Sequence, residues 1–154
     1  MRYLIGTGTH LASDDAIGLR VAEAVAELGL EDGFEAVSIR SDIDLLSYLD
    51  PGTEELLIID CARMGGRPGD CRFFSLDEVA GHKHLAGFST HEADLLKILE
   101  LARETGHPIP PMRFLGIEPE TTDPGPSLSP ALERRLPDYA RAAADHFRKP
   151  ERPS

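Results

Sequence analysis

The chain has 154 residues, 41% of them apolar and 6% aromatic, enough for one ordinary core. Lys and Arg number 16 against 27 Asp and Glu, a net charge of −11, so neither nucleic acid nor an anionic membrane is an expected partner, because both need a basic face. No apolar stretch reaches membrane-spanning length, and Cys61 and Cys71 form no Cys-x-x-Cys pair; membrane insertion, a disulfide framework and a thiolate zinc site are not expected, and a cytoplasmic location is.

Residues 2–6 form a short apolar run that predicts a buried strand. A Gly-rich turn follows, Gly6-Thr7-Gly8-Thr9-His10-Leu11. Ser13 is the expected helix N-cap, with Asp14 and Asp15 in the first turn, where carboxylates suit the helix dipole. Ile17, Val21, Val25 and Leu28 recur at helical spacing. Gly29 and Gly33 flank the exit, and 34–39 predicts a second strand. A short helix is expected from Ile43 to Leu49, closed by Asp50-Pro51-Gly52. Leu56-Leu57-Ile58-Ile59 is apolar throughout, as a strand covered on both faces should be, and it ends at Asp60. Gly65 to Gly69 is a loop, Cys71 to Leu76 a short edge strand, and 77–90 the least regular stretch.

Ser89 and Glu92 have the spacing of a capping box, opening an amphipathic helix with Leu95, Leu96, Leu99 and Ala102. Met112 to Ile117 predicts another strand, and Glu118 to Pro126 a Pro/Gly-rich loop. Ser129-Pro130 opens the last helix, whose stripe is Leu132, Leu136, Tyr139, Ala143 and Phe147. Pro137 is expected to bend or interrupt it, and the tail from Lys149 to fray. Strands alternating with helices imply an α/β three-layer sandwich: a mainly parallel central sheet of about five strands flanked by helices. The expected domain spans 1–148, with 149–154 as a disordered tail.

In such a fold, sites gather beyond the carboxyl ends of the strands. Asp15, Asp60 and His91 are the polar groups expected there, with His10 beside the acidic turn. Two carboxylates and one imidazole are an N/O donor set suited to zinc or nickel. Each also has a plainer role. Asp15 could only favour a helix dipole, Asp60 could cap a turn, and His91 could be an exposed first-turn residue. Gly6-x-Gly8 is no dinucleotide fingerprint, because Leu11 stands at the third glycine position and a Walker lysine is lacking. Cys61 has no base assigned to it and is expected to be a small buried residue. His82 and His84 are expected to be exposed loop residues.

Four ordered segments resemble the nickel–iron hydrogenase maturation endopeptidases. Gly6-x-Gly8-Thr9-x-Leu11-x-x-Asp14-Asp15-x-x-Gly18 resembles their opening signature. Leu57-Ile58-Ile59-Asp60-Cys61-Ala62, then Arg67-Pro68-Gly69, resembles their strand ending in Asp-Ala and its following Pro-Gly. Ser89-Thr90-His91-Glu92 resembles their Ser-x-His segment. Gly116-Ile117-Glu118-Pro119-Glu120, then Leu128-Ser129-Pro130, resembles their Gly-x-x-Pro-Glu turn and final-helix cap. The resemblance runs from about residue 2 to 147.

The resemblance implies that Asp15, Asp60 and His91 contact metal and carry catalysis. The metal is the nickel carried by the hydrogenase large-subunit precursor, which is the implied protein partner. A short C-terminal extension of the precursor is removed, and no organic cofactor is implied. The chain departs from the family pattern at Thr9, where Asn is usual. It departs again at Ser38-Ile39-Arg40-Ser41-Asp42-Ile43-Asp44, where the family has a glycine-rich loop bordering the substrate. Arg40 and Asp42 are therefore the candidate substrate-loop residues. That departure keeps open a non-catalytic protein that senses nickel or binds the precursor on the same fold. A Cys61-dependent hydrolase is the third reading.

Overall fold

The computed structural model describes residues 1–81 and 90–148, with side chains described for all of these except 80, 81 and 90–93. The strands are β1 (Arg2–Gly6), β2 (Glu35–Ser38), β3 (Glu55–Cys61), β4 (Cys71–Ser75) and β5 (Met112–Ile117). The helices are α1 (Ile17–Glu27), α2 (Leu76–Gly81), α3 (Thr90–Glu104) and α4 (Pro130–Arg148), with 3₁₀ segments at Ser13–Ala16 and Asp42–Tyr48. The five strands form one sheet in the order β2-β1-β3-β5-β4. Only the edge strand β4 runs antiparallel to its neighbour.

The two sheet faces bury different residues of the same strands. On one face Leu4, Leu57, Ile59 and Leu115 pack with Ile17, Val21 and Val25 of α1 and with Leu132, Tyr139, Ala143 and Phe147 of α4. On the other, Ile5, Leu56, Ile58 and Phe114 pack with Leu45, Val79, Leu95 and Leu99. This two-sided burial is why β3 is a continuous apolar run, and it makes the three layers the sequence implies. No described helix is long and apolar enough to cross a membrane.

Several local expectations change. Ser13 does not cap α1. Its φ is +51°, and its hydroxyl donates to the Asp123 carbonyl at 2.7 Å. Asp14 and Asp15 belong to the 3₁₀ turn, and α1 starts at Ile17. The reason is tertiary: the Ser13 N–H donates to the Gly125 carbonyl at 3.0 Å, so a distant loop sets this backbone.

Strand β3 runs on through Asp60 and Cys61, because β5 continues to pair with them at Gly116 and Ile117. The stretch expected to be irregular begins with helix α2, opened by a capping box. The Ser75 N–H donates to Glu78 Oε1 at 3.0 Å and the Glu78 N–H to Ser75 Oγ at 3.1 Å. Helix α4 runs uninterrupted through Pro137, whose side chain is exposed. The expectations for His82, His84, the Ser89 cap and the tail from Lys149 lie outside the described residues.

Gly6 and Gly18 are a matched pair. A Cβ on Gly6 would lie 2.2 Å from the Gly18 carbonyl oxygen, and one on Gly18 2.2 Å from that of Ile59. Only hydrogen fits where α1 crosses β1 and β3, so the glycines of the opening signature serve close packing rather than phosphate binding.

Candidate functional site

The carboxyl ends of β1, β2, β3 and β5 share one end of the sheet, because these strands are parallel. The acidic turn follows β1, residues 39–42 follow β2, the 62–70 loop follows β3, and the 118–129 segment follows β5. Helix α3 precedes β5 and packs against the 3₁₀ segment Asp42–Tyr48 that follows β2. The elements bearing Asp15, Arg40, Asp42 and Asp60 therefore lie at one end of the sheet.

The two adjacent aspartates of the turn have different surroundings. Asp14 is fully buried and its carboxylate accepts four hydrogen bonds: from the N–H groups of Glu120 (2.8 Å), Thr121 (3.2 Å) and Ser129 (2.7 Å), and from the Ser129 hydroxyl (2.8 Å). It fastens the 118–129 segment to the turn, a role that local sequence does not reveal. Asp15 is 9% exposed. Its N–H donates to the Ala12 carbonyl at 3.1 Å, and its carbonyl accepts the Thr9 N–H at 3.4 Å. Gly8 sits against this turn with φ +143°, where an added Cβ would be 2.1 Å from the Asp15 carbonyl oxygen.

Asp60 is 2% exposed, and its Oδ1 accepts the Cys61 N–H at 2.8 Å. By strand alternation its side chain lies on the face of Leu56 and Ile58, the face covered by α3. The turn bearing Asp15 packs against β3. The thiol of Cys61 reports the local field. Burial, then the carboxylates of Asp60 and Asp15, push it above its ordinary value, while Arg63 opposes them. Cys61 is 1% exposed and stays a neutral thiol, consistent with a buried structural residue and not with a nucleophile.

His91 lies in the first turn of α3, and its side chain is outside the described residues. Among the described residues no three His, Cys, Asp or Glu side chains form a metal-binding group. His10 is exposed on the loop after β1. Ile39 is 4% exposed, its N–H donating to the Gly6 carbonyl at 3.0 Å, whereas Arg40 is exposed and Asp42 half-buried. The stretch that departs from the family pattern thus sends one side chain into the core and one into solvent.

Glu118, named above only as part of the Gly-x-x-Pro-Glu turn and its loop, has a second anchoring role that its sequence does not show. It is 6% exposed, and its Oε1 accepts the N–H groups of Met64 (2.8 Å) and Gly66 (2.9 Å), which shapes the 62–70 loop. Beyond that loop, Met64, Cys71, Arg135, Asp138 and Tyr139 line a pocket of about 560 Å³ against α4. Neither Asp15 nor Asp60 lines it.

Solved structures share this fold. The hydrogenase maturating endopeptidase HybD from E. coli superposes with a TM-score of 0.79 at 23% identity, covering 96% of this chain and 92% of that one. An endopeptidase from Escherichia coli gives 0.78 at 26% identity, covering 97% and 94%. The NiFe hydrogenase maturation protease HybD from Thermococcus kodakarensis gives 0.71 at 24%, covering 96% and 97%. No curated protein sequence matches. The family model for hydrogenase maturation proteases matches residues 41–146, a span that holds Asp60 and His91. The chain belongs to the hydrogenase maturation protease family.

Proposed function

We propose that this protein is an endopeptidase that removes the C-terminal extension of a nickel–iron hydrogenase large-subunit precursor after nickel has been inserted. Asp15, Asp60 and His91 contact the nickel that the precursor carries, so cleavage tests whether the metal has arrived. The observation that supports this most is the pair of buried carboxylates, 9% and 2% exposed, brought to one end of the sheet on separate elements. Burying carboxylates is costly unless a cation or hydrogen bonds compensate. Their oxygen donors, with an imidazole from α3, suit nickel.

When bound, the ion supplies Lewis acidity toward a peptide carbonyl. The chain's own contribution is position. Asp60 is fixed by strand pairing and by the Cys61 N–H, and Asp15 by the turn that Asp14 anchors. Arg40 and Asp42, after β2, border the approach of the precursor chain. The surplus of acidic residues suits a basic precursor tail.

The test is mass spectrometry of a nickel-loaded large-subunit precursor incubated with the protein. The expected result is loss of one defined C-terminal fragment, dependent on nickel and abolished in Asp15→Asn, Asp60→Asn and His91→Ala. Normal processing by all three variants would overturn the site assignment. An intact precursor from a demonstrably competent partner would favour the non-catalytic binding protein, a reading motivated by Ile39 and Arg40 standing where the family has glycines.

A further inference from the structure

Leu11 combines two unfavourable features. At 72% exposure it is the most exposed large apolar side chain among the described residues. Its φ of +58° lies in the left-handed region, which a branched L-residue occupies only at a cost. A surface leucine alone means little. A surface leucine forced into a disfavoured backbone is different, because the surroundings must over-determine it.

They do so with the bonds that set Asp15. The Leu11 carbonyl accepts the Gly125 N–H at 2.9 Å, and Ala12 forms a parallel bridge with Gly125. The Ser13 N–H donates back to the Gly125 carbonyl at 3.0 Å, and the Asp15 N–H closes onto Ala12 at 3.1 Å. Leu11 is thus held out into solvent by the turn that carries a candidate catalytic carboxylate. Its isobutyl group can neither hydrogen-bond nor bear charge, so what it recognises is apolar.

We propose that Leu11 is a substrate-docking residue, packing against an apolar side chain of the precursor polypeptide close to the bond that is cut. The proposal rests on the endopeptidase reading for its substrate and adds the contact by which the precursor is seated. A chain delivering its nickel to Asp15 approaches a turn from which Leu11 projects.

The experiment compares wild type with Leu11→Asn, Leu11→Gly and Leu11→Met. Calorimetric affinity for the nickel-loaded precursor, fragment release by mass spectrometry and Tm are read on each. Asn and Gly tolerate the left-handed region, so both variants are expected to melt at or above wild type while binding the precursor about tenfold or more weakly. Leu11→Met keeps the apolar contact and should bind within about threefold of wild type.

Wild-type affinity of Leu11→Asn and Leu11→Gly for the precursor would overturn the proposal, as would a large drop in Tm for both, which would make Leu11 structural. Leu11-dependent self-association with unchanged precursor affinity would overturn it in favour of a second copy of the chain. Leu11-dependent binding with no fragment released would uphold the contact and overturn the endopeptidase reading. Absence of binding by wild type would overturn both.

Discussion

The carboxylate of Asp14 grips Ser129 twice, accepting its N–H at 2.7 Å and its hydroxyl at 2.8 Å across 115 residues of sequence. Ser129 is also where α4 begins, its carbonyl accepting the N–H groups of Leu132 (3.1 Å) and Glu133 (2.9 Å). One side chain therefore joins the turn after β1 to the start of the last helix. Asp14→Ala leaves four donors without their acceptor and is expected to cost about 2–4 kcal/mol. Urea denaturation checks this. Asp15→Asn, one residue on, should leave the urea midpoint close to wild type and abolish precursor cleavage. Equal stability losses at both positions would refute the division of roles.

Gly18→Ala tests the close crossing of α1 over the sheet. The new methyl group would meet backbone oxygens of Ile59 and Thr7 at 2.2 and 2.3 Å, and backbone cannot swing aside. A loss of about 3 kcal/mol or more is expected, measured by chemical denaturation. A near-neutral result would show that α1 can lift off β1 and β3.

The box at the start of α2 gives a pH signature. The Ser75 N–H and hydroxyl hold the Glu78 carboxylate below its ordinary value of 4.5. The folded state therefore binds fewer protons at Glu78 than the unfolded state does in that range. Its contribution is fully present above the ordinary value and fades as pH falls through the depressed one. The difference in urea midpoint between wild type and Glu78→Gln should accordingly be present at neutral pH and shrink on acidification below 4.5. Ser75→Ala should cost about 1 kcal/mol at neutral pH.

Cys61→Ala should retain precursor cleavage and cost about 1 kcal/mol for the small cavity. In the native protein, alkylation at neutral pH should modify Cys71, which is exposed, and spare Cys61, which is 1% exposed. Peptide mapping distinguishes the two. Loss of cleavage in Cys61→Ala with the fold intact would revive the thiol hydrolase.

What could be read ahead of the structure follows the range of the forces involved. The apolar runs at 2–6 and 112–117 are the strands observed there, because burial on both faces leaves a local mark. The start of α4 at Pro130 was equally legible from its cap pair. Ser13 misled because its preference for capping yields to the bonds it donates to the carbonyls of Asp123 and Gly125. Helix α2 was hidden because Ser75-x-x-Glu78 overlaps the apolar residues of the edge strand. Around the candidate site, Asp15 and Asp60 stood out by their places after strands. The anchoring roles of Asp14 and Glu118 did not, since the partners of their carboxylates lie 52 to 115 residues away.

The Asp14 anchor also orders events in time. A nascent chain that has emerged only as far as β5 already contains every strand of the sheet. It still lacks Glu120, Thr121, Gly125 and Ser129, the partners that hold the acidic turn in shape. On the ribosome, the turn after β1 can take its final geometry only after these late residues have left the exit tunnel. Ribosome-arrested chains ending before and after this segment should differ in protection of the Asp14–Asp15 turn from proteolysis, with the sheet alike in both.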